Sequence, residues 1–178
     1  MKRYLLTAAG RDRPGLVAAV SKVLFDQGCN LEDSAMTRLL GEFAILLIFS
    51  GPAKPTALEL ALKSLGKKLG LAVNLKPLSI REGRPSPPAE NGVLISIYGA
   101  DRPGIVHRAT DLIAKSKVNI SDLSTHRTEA PGRPGYILYI EGEAPETLPP
   151  AALEKILQGG IAELGVTVQV KPLSASAL

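Results

Sequence analysis

Two short runs place the same charged and flexible residues at matching positions. Asp12-Arg13-Pro14-Gly15 recurs as Asp101-Arg102-Pro103-Gly104, and an asparagine, Asn30 or Asn119, follows 18 positions after each aspartate. Each run lies where a short apolar segment gives way to helical periodicity, which places it at a helix N-terminus. The amides there lack intrahelical partners and carry partial positive charge, so they can hold a carboxylate. Gly15 or Gly104 lets a ligand approach the backbone closely. Asp12 and Asp101 add a fixed negative charge able to receive a cation, and Asn30 and Asn119 offer an amide donor and acceptor. Donors for an anion beside an acceptor for a cation suit a zwitterion, the form of a free amino acid at neutral pH. The same residues also read as helix punctuation, with aspartate as a cap and proline in the first turn. Spacing alone leaves both readings open.

Other chemistries find less support. Asp122, Ser124 and His126 alternate along a strand-like segment, but residues two apart on a strand project in parallel roughly 7 Å apart, too far for a hydrolytic triad. With two histidines and one cysteine the chain cannot assemble the usual zinc ligand sets. It carries no Gly-Lys-Ser/Thr phosphate loop. No metal, cofactor or enzymatic activity is expected. Lys63, Lys67 and Lys68 cluster on a helix-like segment and read as a solvated face. The net charge is +4, concentrated in the first half: residues 1–80 hold 11 Lys/Arg against 6 Asp/Glu, and residues 92–178 hold 8 against 9. Only 7 aromatic residues are available for base stacking, so direct nucleic-acid binding is not expected.

The elements that must position these residues follow from an internal repeat. Residues 10–33 and 99–122 align without gaps at an offset of 89, with 8 identities in 24 columns. The offset widens to 95 by the end of the copies, where LAVNLKPLS at 71–79 answers VTVQVKPLS at 166–174. Four of the extra residues enter around Pro131-Gly132-Arg133-Pro134. In each copy strand-length and helical patterns alternate. The spacing predicts strands over 4–9, 30–38 and 42–50, helices over 14–27 and 56–69, and a last strand ending at Lys-Pro-Leu-Ser. The second copy predicts strands over 93–98, 119–128 and 136–141, helices over 103–117 and 151–164, and a matching last strand. Val17, Val20 and Leu24 form the expected buried stripe of the first helix. Gly28 closes that helix, and Lys117 takes its place in the second copy. The order βαββαβ gives an α+β fold of two ferredoxin-like domains in tandem, each an antiparallel sheet with both helices on one face. The expected domains are 1–80 and 92–174, joined by a Pro-rich linker over 81–91.

A single cysteine, Cys29, and an apolar stretch no longer than seven residues (43–49) predict a reducing, cytoplasmic setting without a membrane span. Two open-edged sheets also leave room for a homo-oligomer.

The pattern DRPG, then a helix, then Asn-Leu or Asn-Ile opening the second strand, twice over, resembles tandem ACT domains, and among them the glycine cleavage system transcriptional repressor family. The resemblance covers nearly the whole chain outside the linker and the last residues. It implies ferredoxin-like regulatory modules that pair side by side and bind small molecules, commonly amino acids. It places the ligand loops on Asp12 to Gly15 and Asp101 to Gly104, with Asn30 and Asn119 as facing polar residues. Some serine-binding ACT domains carry a histidine two positions before the aspartate, where this chain has Gly10 and Gly99. The resemblance further implies a non-enzymatic regulator that senses a small, glycine- or serine-like amino acid and acts on a regulatory protein partner, in transcriptional control of glycine or one-carbon metabolism. The alternatives are a detached regulatory subunit of a metabolic enzyme, like the ACT portion of formyltetrahydrofolate deformylases, and a direct DNA-binding repressor.

Overall fold

The computed structural model describes residues 2–51, 55–79, 91–128 and 135–173. They fall into two compact units, one on each side of the expected linker. The first unit runs β1 (Lys2–Arg11), α1 (Leu16–Asp26), β2 (Asn30–Leu39), β3 (Glu42–Gly51), α2 (Pro55–Leu69) and β4 (Leu71–Leu78). The second runs β5 (Gly92–Ala100), α3 (Ile105–Lys115), β6 (Asn119–Thr128), β7 (Gly135–Glu143), α4 (Pro150–Ile161), a 3-10 turn (Ala162–Leu164) and β8 (Val166–Pro172). Each sheet has four antiparallel strands, in the orders β2-β3-β1-β4 and β6-β7-β5-β8. Both units therefore have the predicted βαββαβ architecture. The residues 81–90 of the expected linker and the inserted 131–134 lie outside the described residues.

Alternation along the central strands decides which sheet face the helices cover. Tyr4, Leu6 and Ala8 of β1 and Phe43, Ile45, Leu47 and Phe49 of β3 are buried on one face, under Leu58 and Leu62 of α2. Tyr4 and Phe49 stack with ring centroids 5.5 Å apart. In the second unit Ile95, Ile97, Leu138 and Ile140 meet Ile113, Leu153 and Leu157 in the same way. The stripe of α1 departs from expectation. Leu16, Val20 and Leu24 are the buried residues, and Val17 is 45% exposed. Leu16 rather than Val17 completes the stripe with Val20 and Leu24 at i, i+4, i+8 spacing, and Val17 lies at its margin, facing the space beside β2 with Met36.

Gly159-Gly160 has no counterpart in the first copy. A Cβ on Gly160 would stand 2.5 Å from Leu112 Cδ1, so this glycine lets α4 pack closely on α3, while Gly159 faces open space. The helix read over 151–164 stops at Ile161 and tightens into the 3-10 turn. Lys117, standing for Gly28, adopts the same left-handed backbone, with φ 59° against 66°. Both copies also close the helix with the same hydrogen bonds, Cys29 N to Leu24 O and Val118 N to Ile113 O.

Candidate functional site

Each predicted loop folds by the same local logic. Gly15 and Gly104 occupy the N-cap positions of α1 and α3 with φ of 91° and 93°, where no side chain caps the helix. A residue with a Cβ pays about 1–2 kcal/mol in this left-handed region, which explains glycine in both copies. The first helical bond of α1 runs from Ala19 N to Gly15 O, and Arg108 N to Gly104 O repeats it. The amides of Leu16, Val17 and Ala18 are therefore free at the helix mouth among the described residues. Pro14 and Pro103 lie in the turn before the cap rather than in the first helical turn.

The aspartates are not caps. Asp12 Oδ2 lies 2.7 Å from Arg38 Nε, and Asp101 Oδ2 lies 2.9 Å from a terminal guanidinium nitrogen of Arg127. Both arginines lie at the ends of the edge strands and are mostly exposed, whereas each aspartate side chain is less than a quarter exposed. Asp12 N also donates to Gly41 O, which ties the loop to the β2–β3 hairpin. Arg13 and Arg102 extend their guanidinium groups toward the end of the second helix of each unit. Arg13 donates to Leu69 O at the end of α2 (2.5 Å), and Arg102 reaches Glu163 O after α4 (3.5 Å). Their recurrence has a structural cause, because each joins its loop to the electronegative end of the second helix.

Asp12, Arg13, Gly15, Leu16, Val17, Ala18, Ser21, Met36 and Phe43 line a recess of about 480 Å³ at the mouth of α1. It adjoins a more apolar groove of about 360 Å³ between α1 and β2, which shares Val17, Ser21 and Met36 with it and extends to Phe25 and Cys29. The structure does not bring Asn30 to this recess. Asn30 pairs in register with Ser50, at the end of β3 farthest from Phe43, the partner of Arg38. Eight residue steps along the strand separate it from Arg38, on the order of 25 Å. Asn119 stands in the same relation to Arg127. The two asparagines are exposed at the starts of edge strands.

Four further residues around the loops acquire definite roles. Arg38 and Arg127 hold the aspartates and were not singled out in the sequence, although they lie at the same offset of 89 just past the aligned segment. Gly10 permits a close approach, since a Cβ there would come within 2.6 Å of Gly70 O; at Gly99 the corresponding contact, with Gly165 O, is 3.0 Å. A histidine at either position would displace the neighbouring turn. Of the hydrolase-like residues, Asp122, Ser124 and His126 face Glu141, Tyr139 and Ile137 across the ladder, and His126 meets the Tyr139 ring edge-on with centroids 6.4 Å apart. Among the described residues no His/Cys/Asp/Glu group could hold a metal ion, and no helix is long and apolar enough to cross a membrane.

Comparison with known proteins matches two models, both described as ACT domain, to residues 2–76 and 93–157. The chain is 28% identical over 179 residues to the glycine cleavage system transcriptional repressor of Escherichia coli, covering 98% of this chain and 93% of that protein. The UPF0237 protein MK1213 of Methanopyrus kandleri is 34% identical over 76 residues, 41% of this chain and 84% of its own length. A crystal structure of an unknown protein from Galdieria sulphuraria superposes with a TM-score of 0.78 at 26% identity, covering 97% of this chain and 99% of that one.

Proposed function

Because the chain belongs to the ACT domain family and carries two such domains in tandem, we propose that it is a non-enzymatic regulator that binds a small, glycine- or serine-like amino acid and transmits the bound state to a partner protein. The observation that carries this reading is the repeated pairing of an aspartate–arginine couple with an uncapped helix mouth opened by a left-handed glycine. The ligand carboxylate lies on the free amides of Leu16 to Ala18, where the helix end favours an anion. The ammonium lies against Asp12, whose bond to Arg38 uses Oδ2. The recess in the first unit combines the charged Asp12 and Arg13 with the apolar Val17, Met36 and Phe43, which suits a zwitterion with a short side chain. The second unit repeats the arrangement with Asp101, Gly104 and the amides of Ile105 to His107.

Asn30 and Asn119 join such a site from a second domain rather than their own, since each lies at the far end of its edge strand from its own loop. Two chains meeting antiparallel along β2 bring Asn30 of one beside the loop of the other, because Asn30 and Arg38 mark opposite ends of the same edge strand. A homo-oligomer formed through these exposed edges is therefore part of the proposal. The full-length similarity to a glycine cleavage system transcriptional repressor supports a role in transcriptional control; the proposed target is a cytoplasmic protein partner rather than DNA, because only 7 aromatic residues are available for base stacking.

Thermal unfolding of the pure chain across the free amino acids tests the reading. A ligand at about 100 times its dissociation constant adds roughly 2.7 kcal/mol of stability. Glycine, serine or a similarly small amino acid is expected to raise Tm, and larger ones are not. A panel in which no amino acid raises Tm contradicts the proposal. Nanomolar, sequence-selective binding of duplex DNA by the pure chain would favour the direct repressor instead.

A further inference from the structure

The two units treat one sheet edge differently. In the second unit the outer groups of β8 are satisfied by side chains from α4. Gln158 Nε2 donates to Val166 O (3.0 Å), Val168 N donates to Gln158 Oε1 (2.8 Å), and Val170 N donates to Glu154 Oε2 (2.8 Å). Those three contacts close the edge. The first unit holds β4 in the same register, with Leu71 opposite Gly10 as Val166 is opposite Gly99. Leu71, Val73 and Leu75 therefore turn the corresponding groups outward. At the offset of 95, Lys63 stands in place of Gln158 and Glu59 in place of Glu154.

A lysine has donors only, so it cannot accept from Val73 N. Lys63 lies 3.9 Å from Glu59 along the helix. Among the described residues, no side chain bonds Val73 N or Leu75 N. Beside this edge a cleft of about 760 Å³ is lined by Lys63, Lys67, Gly70, Leu71 and Val73, with Leu60 64% exposed at its border. Pro77, which has no N–H, ends the available ladder near the end of β4.

We propose that the open edge of β4 is a docking site for an extended, acidic segment of a partner protein, which adds as a fifth strand to the first sheet. Backbone bonds to Leu71, Val73 and Leu75 supply the register, and alternate side chains of the added strand project toward Lys63 and Lys67. Those two ammonium groups select carboxylates. The second unit offers no equivalent, because Gln158 and Glu154 already occupy its edge. This docking is independent of amino acid binding, and no amino acid enters its test.

The probe is an acetylated decapeptide of alternating glutamate and valine, added to the full 15N-labelled chain, with the lysine–valine peptide and a short DNA duplex as comparisons. Without peptide, the amides of Val73 and Leu75 should exchange with solvent faster than those of Val168 and Val170. The glutamate–valine peptide should slow exchange at Val73 and Leu75. K67Q should weaken its binding by about 2- to 5-fold, the range of a surface ion pair. K63Q should weaken it likewise and also protect the Val73 amide in the absence of peptide, by importing the bond made by Gln158. Unchanged exchange at Val73 and Leu75 with the acidic peptide would overturn the proposal. So would equal protection by the lysine peptide, protection by the DNA duplex alone, or unaltered binding in both lysine variants.

Discussion

Replacing Asp12 or Asp101 by alanine should separate ligand binding from folding. The couple Asp12–Arg38 joins atoms 2.7 Å apart, but the arginine side chain is 69% exposed, and exposed ion pairs contribute about 0–1 kcal/mol. The helix loses no cap, because Gly15 occupies the N-cap position without a side-chain bond. D12A should therefore cost less than about 1 kcal/mol, at most a shift of roughly 4–8 °C in Tm for a domain of this size. Binding should respond far more. An ammonium on a carboxylate is a charge-assisted contact worth about 1.5–3 kcal/mol, so affinity at that site should fall about 10- to 150-fold. The two sites should also differ. Ala18-Ala19 of the first unit corresponds to His107-Arg108 of the second, and Arg108 is paired with Glu163. Isothermal calorimetry of the full chain should resolve a stronger and a weaker component, with D12A and D101A each removing a different one. If both variants bind the stabilising amino acid with wild-type affinity, the aspartates serve only to fasten their edge-strand arginines, and the assignment of the site fails.

Other substitutions probe the scaffold that shapes the loops. G15A and G104A meet nothing within 4 Å of the new Cβ, so they carry only the backbone cost of the left-handed region less the gain in the unfolded chain, a net loss of about 0.5–1.5 kcal/mol by urea titration. K117G should do the reverse, raising stability by about 0.5–1 kcal/mol, because Lys117 holds φ 59° where the first copy has Gly28. Q158A removes both bonds to β8 and should destabilise by about 1–3 kcal/mol, with faster amide exchange at Val168 as the local readout.

The internal repeat made the fold legible. Each strand or helix pattern occurs twice, and a chance pattern in one copy is exposed by its absence from the other. The strand read over 119–128 has those bounds in the structure, and the central strands extend the expected ones by at most two residues at either end. What local pattern misses is which of two neighbouring apolar residues completes a helical stripe. Val17 belongs to the apolar periodicity of its helix but faces the groove, because Leu16 takes its place beside Val20 and Leu24 and both spacings, i+3 and i+4, read alike in sequence. The loops were legible as recurrent, but not the partners of their charges. Arg38 follows Asp12 by 26 residues and meets it only through the β2–β3 hairpin and its register. The distance of Asn30 from its own loop likewise depends on strand direction, which spacing in sequence does not carry. Gly160 required the contact with Leu112 on another helix, and no neighbour in the sequence signals that approach.

Backbone amide NMR of the full chain during titration with glycine and serine tests the amino acid site most directly. Saturable shifts should concentrate on Leu16, Val17 and Ala18 at the mouth of α1, on their counterparts Ile105, Val106 and His107, and on the side chains of Arg38 and Arg127. Saturable binding that moves other resonances and leaves both helix mouths unchanged would contradict the account, as would the absence of any response to either amino acid.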